Sequence, residues 1–277
     1  MIRIGFVDYY LDEWHALNYP EKFAAAAERI GIPCEVVGAF ATLHEPPIEG
    51  KRTTDEWCRL TGIKRYDDIE ALANDADALL IFSPDDPDQH PALAELTLPF
   101  AKPTFIDKTF AASAEDAAWM IDLAHRYGTP MYSTSSLRYA EEVECLRGAR
   151  EISVCGNYVH MKDYLVHTTE MVVTALGTGA TGIICQQEGD VYRFDLSYDD
   201  GRAAKMELAP RLCFHVNGEK VVSEYFDRQI ENILRFFNGE APTVSEVEMM
   251  EVARVIDGAM VAMQSPGTCI KISACEG

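Results

Sequence analysis

The sequence predicts an α/β protein, with a Rossmann-like, doubly wound parallel sheet first and an α+β domain with a largely antiparallel sheet after it. Short apolar runs alternate with helical patterns up to about residue 130, which is typical of parallel strands covered on both faces. Beyond that point, strand-like segments follow one another across short turns, which favours antiparallel pairing. A chain of 277 residues fits two ordinary domains, and the predicted domains are 1–130 and 131–277.

The first predicted elements are a buried strand and an amphipathic helix. The apolar run Ile2–Val7 predicts the strand, and a helical pattern then extends from about Asp12 to Ile30, where Gly31 and Pro33 end it. The other strands predicted in this domain are Cys34–Phe40, Ala78–Phe82 and Thr104–Ile106. The other predicted helices begin at Asp67 or Asp68 and at the N-cap Ser113, with Asp116 three positions later and an end at Tyr127.

The second domain is predicted to open with a polar helix and to continue as hairpins. Ser135 or Ser136 would start this helix, which would span Arg138 to Leu146. The predicted strands are Ile152–Cys155, Thr181–Gln187, Val191–Ser197, Ala203–Leu208 and Cys269–Ile272. Two helices, at Val222–Phe237 and Ser245–Met263, are predicted before the last strand.

The composition excludes several classes of function. Lys and Arg number 24 against 45 Asp and Glu, which gives a net charge of −21. No cluster of basic residues is present, so neither a nucleic acid nor an anionic membrane surface is an expected partner. The N-terminus lacks the basic segment of a secretory signal, and the eight cysteines are scattered singly. We therefore expect a cytoplasmic protein with reduced cysteines and no metal site.

Three stretches carry residues suited to chemistry. Asp107 and Lys108 follow a predicted parallel strand, and ligands of open α/β sheets bind outside the carboxyl ends of the strands. Asp163 and His167 are four residues apart and share one helix face. The loop from Ser83 to His90 follows another predicted strand.

These motifs resemble the glucose–fructose oxidoreductase / inositol dehydrogenase (Gfo/Idh/MocA) family over nearly the whole chain. Asp107-Lys108-Thr109 is similar to the Glu-Lys-Pro motif of that family, and Asp163 with His167 matches its Asp-x-x-x-His motif. Gly177 falls where the family ends that helix, and the segment 133–139 is also similar.

The resemblance implies an oxidoreductase that uses NAD or NADP and acts on a sugar or polyol. In this interpretation His167 takes the proton of the substrate hydroxyl, Asp163 binds the substrate or orients the imidazole, and Lys108 hydrogen-bonds the reacting oxygen. The resemblance also implies a homo-oligomer. Cofactor contacts are expected from Asp8, Tyr10, Ser83, Pro84, His90 and Asp107. Substrate contacts are expected from Trp14, His15, Arg138 and His160.

The expected cofactor site departs from the family pattern. A dinucleotide fingerprint needs glycines so that the backbone can approach the diphosphate, but Asp8, Tyr10 and Glu13 stand at those positions. Three alternatives follow: NAD(P) is bound through a rearranged loop, the dinucleotide is lost and the site does non-redox acid–base chemistry, or the chain only binds a ligand. Several candidate residues also have structural alternatives. Trp14 could pack in the core, Lys108 could be a solvated loop residue, His167 could form a helix-surface pair with Asp163, and Arg138 could form a helix-surface salt bridge.

Overall fold

The computed structural model describes residues 1–272, which form two compact units. The first unit contains residues 1–110, 118–133 and 229–243. The second contains residues 111–117, 134–228 and 244–272. The division into domains 1–130 and 131–277 stays a prediction. Each compact unit is built from three separate segments, so the chain passes from one unit to the other several times.

The sheet of the first unit is parallel and five-stranded, with the order β2-β1-β3-β4-β5. Its strands are β1 (Ile2–Asp8), β2 (Cys34–Ala41), β3 (Ala78–Ile81), β4 (Thr104–Ile106) and β5 (Met131–Ser133). β3 and β4 are buried at every position, as expected for strands covered on both faces. The predicted Rossmann-like fold class is therefore confirmed.

The N-terminal part of the chain contains more helices than the sequence analysis predicted. They are α1 (Trp14–Ile30), α2 (Thr54–Thr61), α3 (Ile69–Asp75), α4 (His90–Thr97), α5 (Ala114–Tyr127) and two 3-10 helices, Pro87–Gln89 and Leu98–Phe100. The missed helix α2 carries a clear signal, because Thr53 and Glu56 form a capping box. The missed helix α4 begins at His90 with Pro91 in its first turn, where proline supports a helix start.

Aromatic packing explains why residues 229–243 belong to the first unit. The ring of Phe236 meets Tyr132 of β5 edge-on, with 4.9 Å between the centroids. The ring of Phe237 stacks on that of Phe23 of α1, with 6.4 Å between the centroids. Such pairs contribute stability beyond the apolar area that they bury, and here they hold residues 229–243 against β5 and α1.

Within the described part of the chain, the sheet of the second unit has seven strands in the order β11-β10-β6-β9-β8-β7-β12. The β6–β9 pair is parallel and the others are antiparallel, so the predicted largely antiparallel sheet is confirmed. The strands are β6 (Glu151–Gly156), β7 (Ala180–Glu188), β8 (Val191–Tyr198), β9 (Ala203–Leu208), β10 (His215–Val216), β11 (Glu219–Lys220) and β12 (Cys269–Lys271). Exposed and buried residues alternate along β9, which places the core on one face of the sheet.

Between residues 134 and 272, the described chain has four α-helices: α6 (Glu141–Glu144), α7 (Met161–Leu176), α8 (Tyr225–Phe237) and α9 (Glu246–Met263). α7 and α9 pack against each other and against the sheet. The predicted continuous helix over Arg138–Leu146 is wrong. A 3-10 helix (Ser136–Tyr139) is followed by an extended Ala140, with φ −64° and ψ 129°, which separates it from α6.

Seven cysteines of the described residues are free thiols, and Cys275 lies outside those residues. Among residues 1–272, no helix combines the length and apolar character that crossing a bilayer requires. In the same range, no group of three or more His, Cys, Asp or Glu side chains is arranged to hold a metal ion.

Candidate functional site

The carboxyl ends of β1, β3 and β4 form the ligand-binding edge expected for this type of sheet. Val7 of β1 pairs with Ile81 of β3, and Ile81 pairs with Ile106 of β4. The chain order reverses between β1 and β3, and ligands of open α/β sheets bind at such a switch point. Asp8 and Asp107 stand at this edge, and both are fully buried.

Glu13 caps the start of α1 and uses the donors that would bind an anion there. Its carboxylate accepts hydrogen bonds from the backbone N–H groups of His15 and Ala16. The negative charge also complements the helix dipole. Burial raises the pKa of Glu13 to about 7. The sequence therefore supplies its own carboxylate at the place where a dinucleotide-binding protein leaves room for phosphate.

Asp8 adds a second buried carboxyl beside Glu13. Its Oδ1 accepts the backbone N–H of Tyr9 at 2.7 Å, and its Oδ2 has no hydrogen-bond partner among residues 1–272. Burial, together with the nearby charge of Glu13, raises the pKa of Asp8 well above its ordinary value. Neighbouring Tyr10 is also buried, and its ring meets that of Tyr9 edge-on.

His15 and Asp107 are brought together at this edge. Nδ1 of His15 contacts Oδ2 of Asp107, and the His15 ring stacks on Tyr19 with 5.2 Å between the centroids. Burial disfavours the imidazolium, but the charge and hydrogen bond of Asp107 outweigh burial and raise the pKa of His15. Burial would raise the pKa of Asp107, and the nearby imidazolium instead holds it below its ordinary value. The expected substrate residue His15 and the expected cofactor residue Asp107 thus form one ion pair.

Lys108 is anchored on the loop that follows β3. Its Nζ donates to the backbone oxygen of Pro84 at 2.8 Å and lies 3.8 Å from Oδ1 of Asp85. The residue is only 7% exposed, so the ammonium is held rather than solvated on a loop. Ser83 shapes this loop, because its φ is 83° and its hydroxyl donates to the carbonyl oxygen of Asp86 at 2.7 Å.

His90 connects the loops that carry Ser83 and Lys108. Its ring nitrogens lie 2.7 Å from the backbone oxygen of Phe82 and 2.9 Å from that of Phe110. It is fully buried, and burial lowers its pKa. These contacts give His90 a role in holding the two loops; a contact with a cofactor stays a prediction.

Trp14 is 55% exposed, so the alternative that it packs in the core is wrong. It occupies the first position of α1, where its ring meets that of His15 edge-on. The cap by Glu13 sets this position, and Tyr19 and Phe23 supply the apolar face of α1 instead. Because the ring of Trp14 is exposed, it is accessible to a ligand, and its contact with a substrate stays a prediction.

The second unit carries Asp163 and His167 one turn apart on α7. Nδ1 of His167 lies 2.7 Å from Oγ of Ser135, and its ring meets Tyr164 and Phe214 edge-on. Asp163 is 6% exposed. Gly177 ends α7 with φ 77°, as predicted. His160 is an exposed residue at the N-cap of this helix.

Arg138 is the centre of a buried ion-pair network in the second unit. Its Nε donates to Glu170 and its Nη1 to Glu248, both at 2.8 Å. Glu170 also accepts the backbone N–H of Ser135 at 3.2 Å. The network raises the pKa of Arg138 even though burial opposes its charge. The helix-surface salt bridge considered for Arg138 is wrong because the residue is fully buried.

Sequence reasoning missed Ser135, Glu170 and Glu248 as partners of the candidate site residues. A signal existed for Glu170, because it is the one charged residue in the stretch of α7 that follows His167. A buried acid needs a partner, and Arg138 provides it. Nothing in the sequence indicated which arginine this would be.

The residues at the start of α1 do not fit the diphosphate of a dinucleotide. The backbone donors of His15 and Ala16 already serve Glu13. Asp8 places another buried carboxyl beside them. A diphosphate would bring further negative charge to buried acids. The glycines that allow a close approach of the backbone are absent from this turn.

Comparisons with solved structures establish the fold. A myo-inositol dehydrogenase from Lactobacillus casei, solved with NAD(H) and myo-inositol, is 14% identical; the match has a TM-score of 0.78 and covers 100% of this chain and 98% of that one. A UDP-N-acetylglucosamine 3-dehydrogenase from Acidithiobacillus ferrooxidans is 13% identical, with a TM-score of 0.73 and coverage of 94% and 97%.

An oxidoreductase from Agrobacterium radiobacter, solved with NAD+, L-tartaric acid and magnesium, is 14% identical, with a TM-score of 0.74 and coverage of 98% of both chains. No family model matches the sequence, and no curated protein matches it significantly. Residues 1–272 of the protein therefore share the fold of these solved proteins.

Proposed function

We propose that this protein is an oxidoreductase-like enzyme of the Gfo/Idh/MocA type that acts on a hydroxyl group of a sugar or polyol. The observation that carries the proposal is the buried Asp107–Lys108 pair at the carboxyl end of β4, the edge at which this fold binds ligands. The fold supports it, since solved dehydrogenases of this shape include proteins named for myo-inositol and a nucleotide sugar.

The proposed roles follow from the chemistry of each group. Lys108 would donate a hydrogen bond to the reacting oxygen and favour negative charge there. His167 would accept the hydroxyl proton, and Ser135, at 2.7 Å from its Nδ1, would fix the imidazole tautomer. Asp163, one turn earlier on α7, would bind the substrate or orient the imidazole.

Oxidation of a hydroxyl also needs a hydride acceptor, and NAD or NADP is the cofactor of this proposal. Three solved proteins of this fold support it, since two were solved with NAD(H) or NAD+ and one is called an NAD-binding protein. Because Glu13 occupies the usual diphosphate position, contacts outside the start of α1 would have to hold the dinucleotide.

A second candidate function needs no dinucleotide. The cap by Glu13 and the buried Asp8 favour it, because both oppose a diphosphate. The same residues would then move protons in an epimerisation, elimination or hydration of a sugar derivative. Both candidates keep a small carbohydrate-like substrate. A homo-oligomer and a cytoplasmic location stay predictions.

Cofactor titration separates the two candidates. Thermal melting with millimolar NAD(H) and NADP(H) should raise the melting temperature if a dinucleotide binds. Turnover of myo-inositol and other polyols, followed by nicotinamide absorbance, then tests oxidation. Lys108→Met and His167→Asn should each lower this turnover at least about 100-fold. The exposed Lys51 and His125 provide the matched controls Lys51→Met and His125→Asn.

A thermal shift with reduction of the nicotinamide establishes the redox candidate. Conversion of a sugar derivative without any effect of NAD(P) establishes the second candidate. Turnover that survives both Lys108→Met and His167→Asn would remove these residues from the mechanism and contradict the proposed function.

A further inference from the structure

One edge of the first unit assembles an acid–base group, a residue that orients it and a fixed cation. His15 comes from the start of α1, whereas Asp107 and Lys108 directly follow β4. Nδ1 of His15 contacts Oδ2 of Asp107. The ring of Tyr19 stacks on the imidazole, so both the plane of the ring and one of its nitrogens are fixed.

The carboxylate of Asp107 determines which nitrogen of His15 can exchange a proton. A carboxylate beside Nδ1 favours a proton on that nitrogen and stabilises the imidazolium, which leaves Nε2 as the nitrogen that gains and loses a proton. The imidazole is also the more accessible of the two groups. The His15 side chain is 15% exposed, while that of Asp107 is 1% exposed.

Lys108 supplies positive charge beside this pair. Its ammonium is held by the backbone oxygen of Pro84, and its charge acts on both His15 and Asp107. A fixed ammonium stabilises negative charge that develops on a carbonyl oxygen when a proton leaves the neighbouring carbon. The edge therefore contains the three parts that enolisation of an α-hydroxy carbonyl compound requires.

We propose that His15, oriented by Asp107, is an acid–base catalyst that moves a proton at the carbon next to the carbonyl of a ketose or keto-polyol. This inference rests on the second candidate function. The C–H bond breaks, its proton goes to Nε2 of His15, and the electron pair forms an enediolate whose oxygen faces the ammonium of Lys108. The proton, or one from solvent, then returns to carbon, so no oxidant or reductant is consumed.

The start of α1 agrees with a substrate that lacks phosphate at this position. Glu13 fills the N-terminus of the helix, its charge and that of Asp107 act on His15, and Asp8 lies near both of these acids. This edge favours groups that donate hydrogen bonds, such as hydroxyls. Asp107 and Glu13 raise the pKa of His15, whereas burial and Lys108 lower it, and the net direction is upward. The catalysed rate should therefore rise with pH as His15 loses its proton.

Deuterium exchange tests this proposal without a nicotinamide cofactor. The full chain is incubated in D2O with dihydroxyacetone, D-fructose or 2-keto-myo-inositol, and loss of the α-carbon proton signal is followed by ¹H NMR. We expect catalysed exchange on at least one of these probes. His15→Asn and His15→Gln should each lower the exchange rate at least about 100-fold. His125→Asn, on the exposed side of α5, should leave it unchanged.

Asp107→Asn separates a positioning role from a structural one. Loss of the carboxylate should lower the exchange rate and shift the midpoint of the pH–rate profile to lower pH, because the imidazolium loses its partner. Melting temperatures show which variants are folded. Two different substitutions of His15 are used so that the test remains possible if one of them does not fold.

Three outcomes would overturn the proposal. They are a wild-type protein that exchanges none of the three probes, a folded His15 variant within about twofold of the wild-type rate, and an Asp107→Asn profile with an unchanged midpoint. Exchange that survives in the His15 variants but is lost in His167→Asn overturns this inference and leaves the proposed function standing.

Discussion

The imidazole Nδ1 of His15 contacts the carboxylate Oδ2 of Asp107, although 92 residues separate the two in the sequence. His15 stands at the start of α1 and Asp107 follows β4, and the sheet order places β3 alone between β1 and β4. The contact joins a residue expected at the substrate to one expected at the cofactor. This pair and the buried groups of the two units lead to four predictions.

The ion pair should be visible in the titration of His15. Asp107→Asn removes the charge and hydrogen bond that raise the pKa of His15, so this pKa should fall, since burial then dominates. The measurement is a pH titration of ¹⁵N-histidine-labelled protein by NMR. The exposed Asp122 offers the control Asp122→Asn, which should leave the His15 curve in place. An equal pKa in wild type and Asp107→Asn contradicts the pairing.

Glu13 should make the folded protein less stable as pH rises. Its folded pKa of about 7 lies above the ordinary value of 4.5, so its protonated form favours folding. This contribution is complete below pH 4.5 and is lost as pH approaches and passes 7, and it amounts to about 3 kcal/mol. Glu13→Gln should flatten the fall in the free energy of unfolding between these values, measured by urea unfolding.

The free energy of unfolding of Glu13→Gln should still fall somewhat as pH rises. The reason is that the raised pKa values of Asp8 and His15 also make the folded protein less stable at higher pH. Glu95→Gln, at an exposed position of α4, is the matched control and should retain the wild-type slope. If the free energy of unfolding of Glu13→Gln falls with pH as steeply as that of the wild type, Glu13 is already ionised at acidic pH.

Arg138 should be among the most destabilising positions in the second unit. Arg138→Met leaves the carboxylates of Glu170 and Glu248 without their cation, which should cost about 3–5 kcal/mol in the free energy of unfolding. Urea unfolding measures this loss. Arg147→Met, with a side chain that is half exposed, should cost less than about 1 kcal/mol.

The triple variant Arg138→Met/Glu170→Gln/Glu248→Gln should recover part of the lost stability, because no buried charge then lacks a partner. If Arg138→Met were as stable as Arg147→Met, the network would not contribute to folding.

Ser135 should control the imidazole of His167. Its Oγ lies 2.7 Å from Nδ1, so Ser135→Ala removes the hydrogen bond that favours one tautomer. The ¹⁵N shifts of the His167 ring should move toward those of a free tautomer mixture. The resonances of exposed His160 serve as an internal reference, and an unchanged His167 spectrum would refute the contact.

Much of the fold follows from local sequence patterns. Apolar runs predicted β1 to β4 because a strand covered on both faces must be apolar throughout, and the closing Gly31 predicted the end of α1. The turn sequences between β7, β8 and β9 predicted the hairpins of the second sheet. Local sequence patterns did not predict the break in the helix near Arg138. The guanidinium of Arg138 is buried because it pairs with Glu170 and Glu248, which are distant in the sequence.

The sequence by itself determined the fold class, the absence of the dinucleotide glycines and the presence of Lys108, Asp163 and His167 in recognisable motifs. Only the tertiary structure decided that Glu13 caps α1, that His15 pairs with Asp107 and that Arg138 is buried between two glutamates. Secondary structure reflects the periodicity of neighbouring residues, whereas the partner of a buried charge is selected by the packing of elements that lie far apart in the chain.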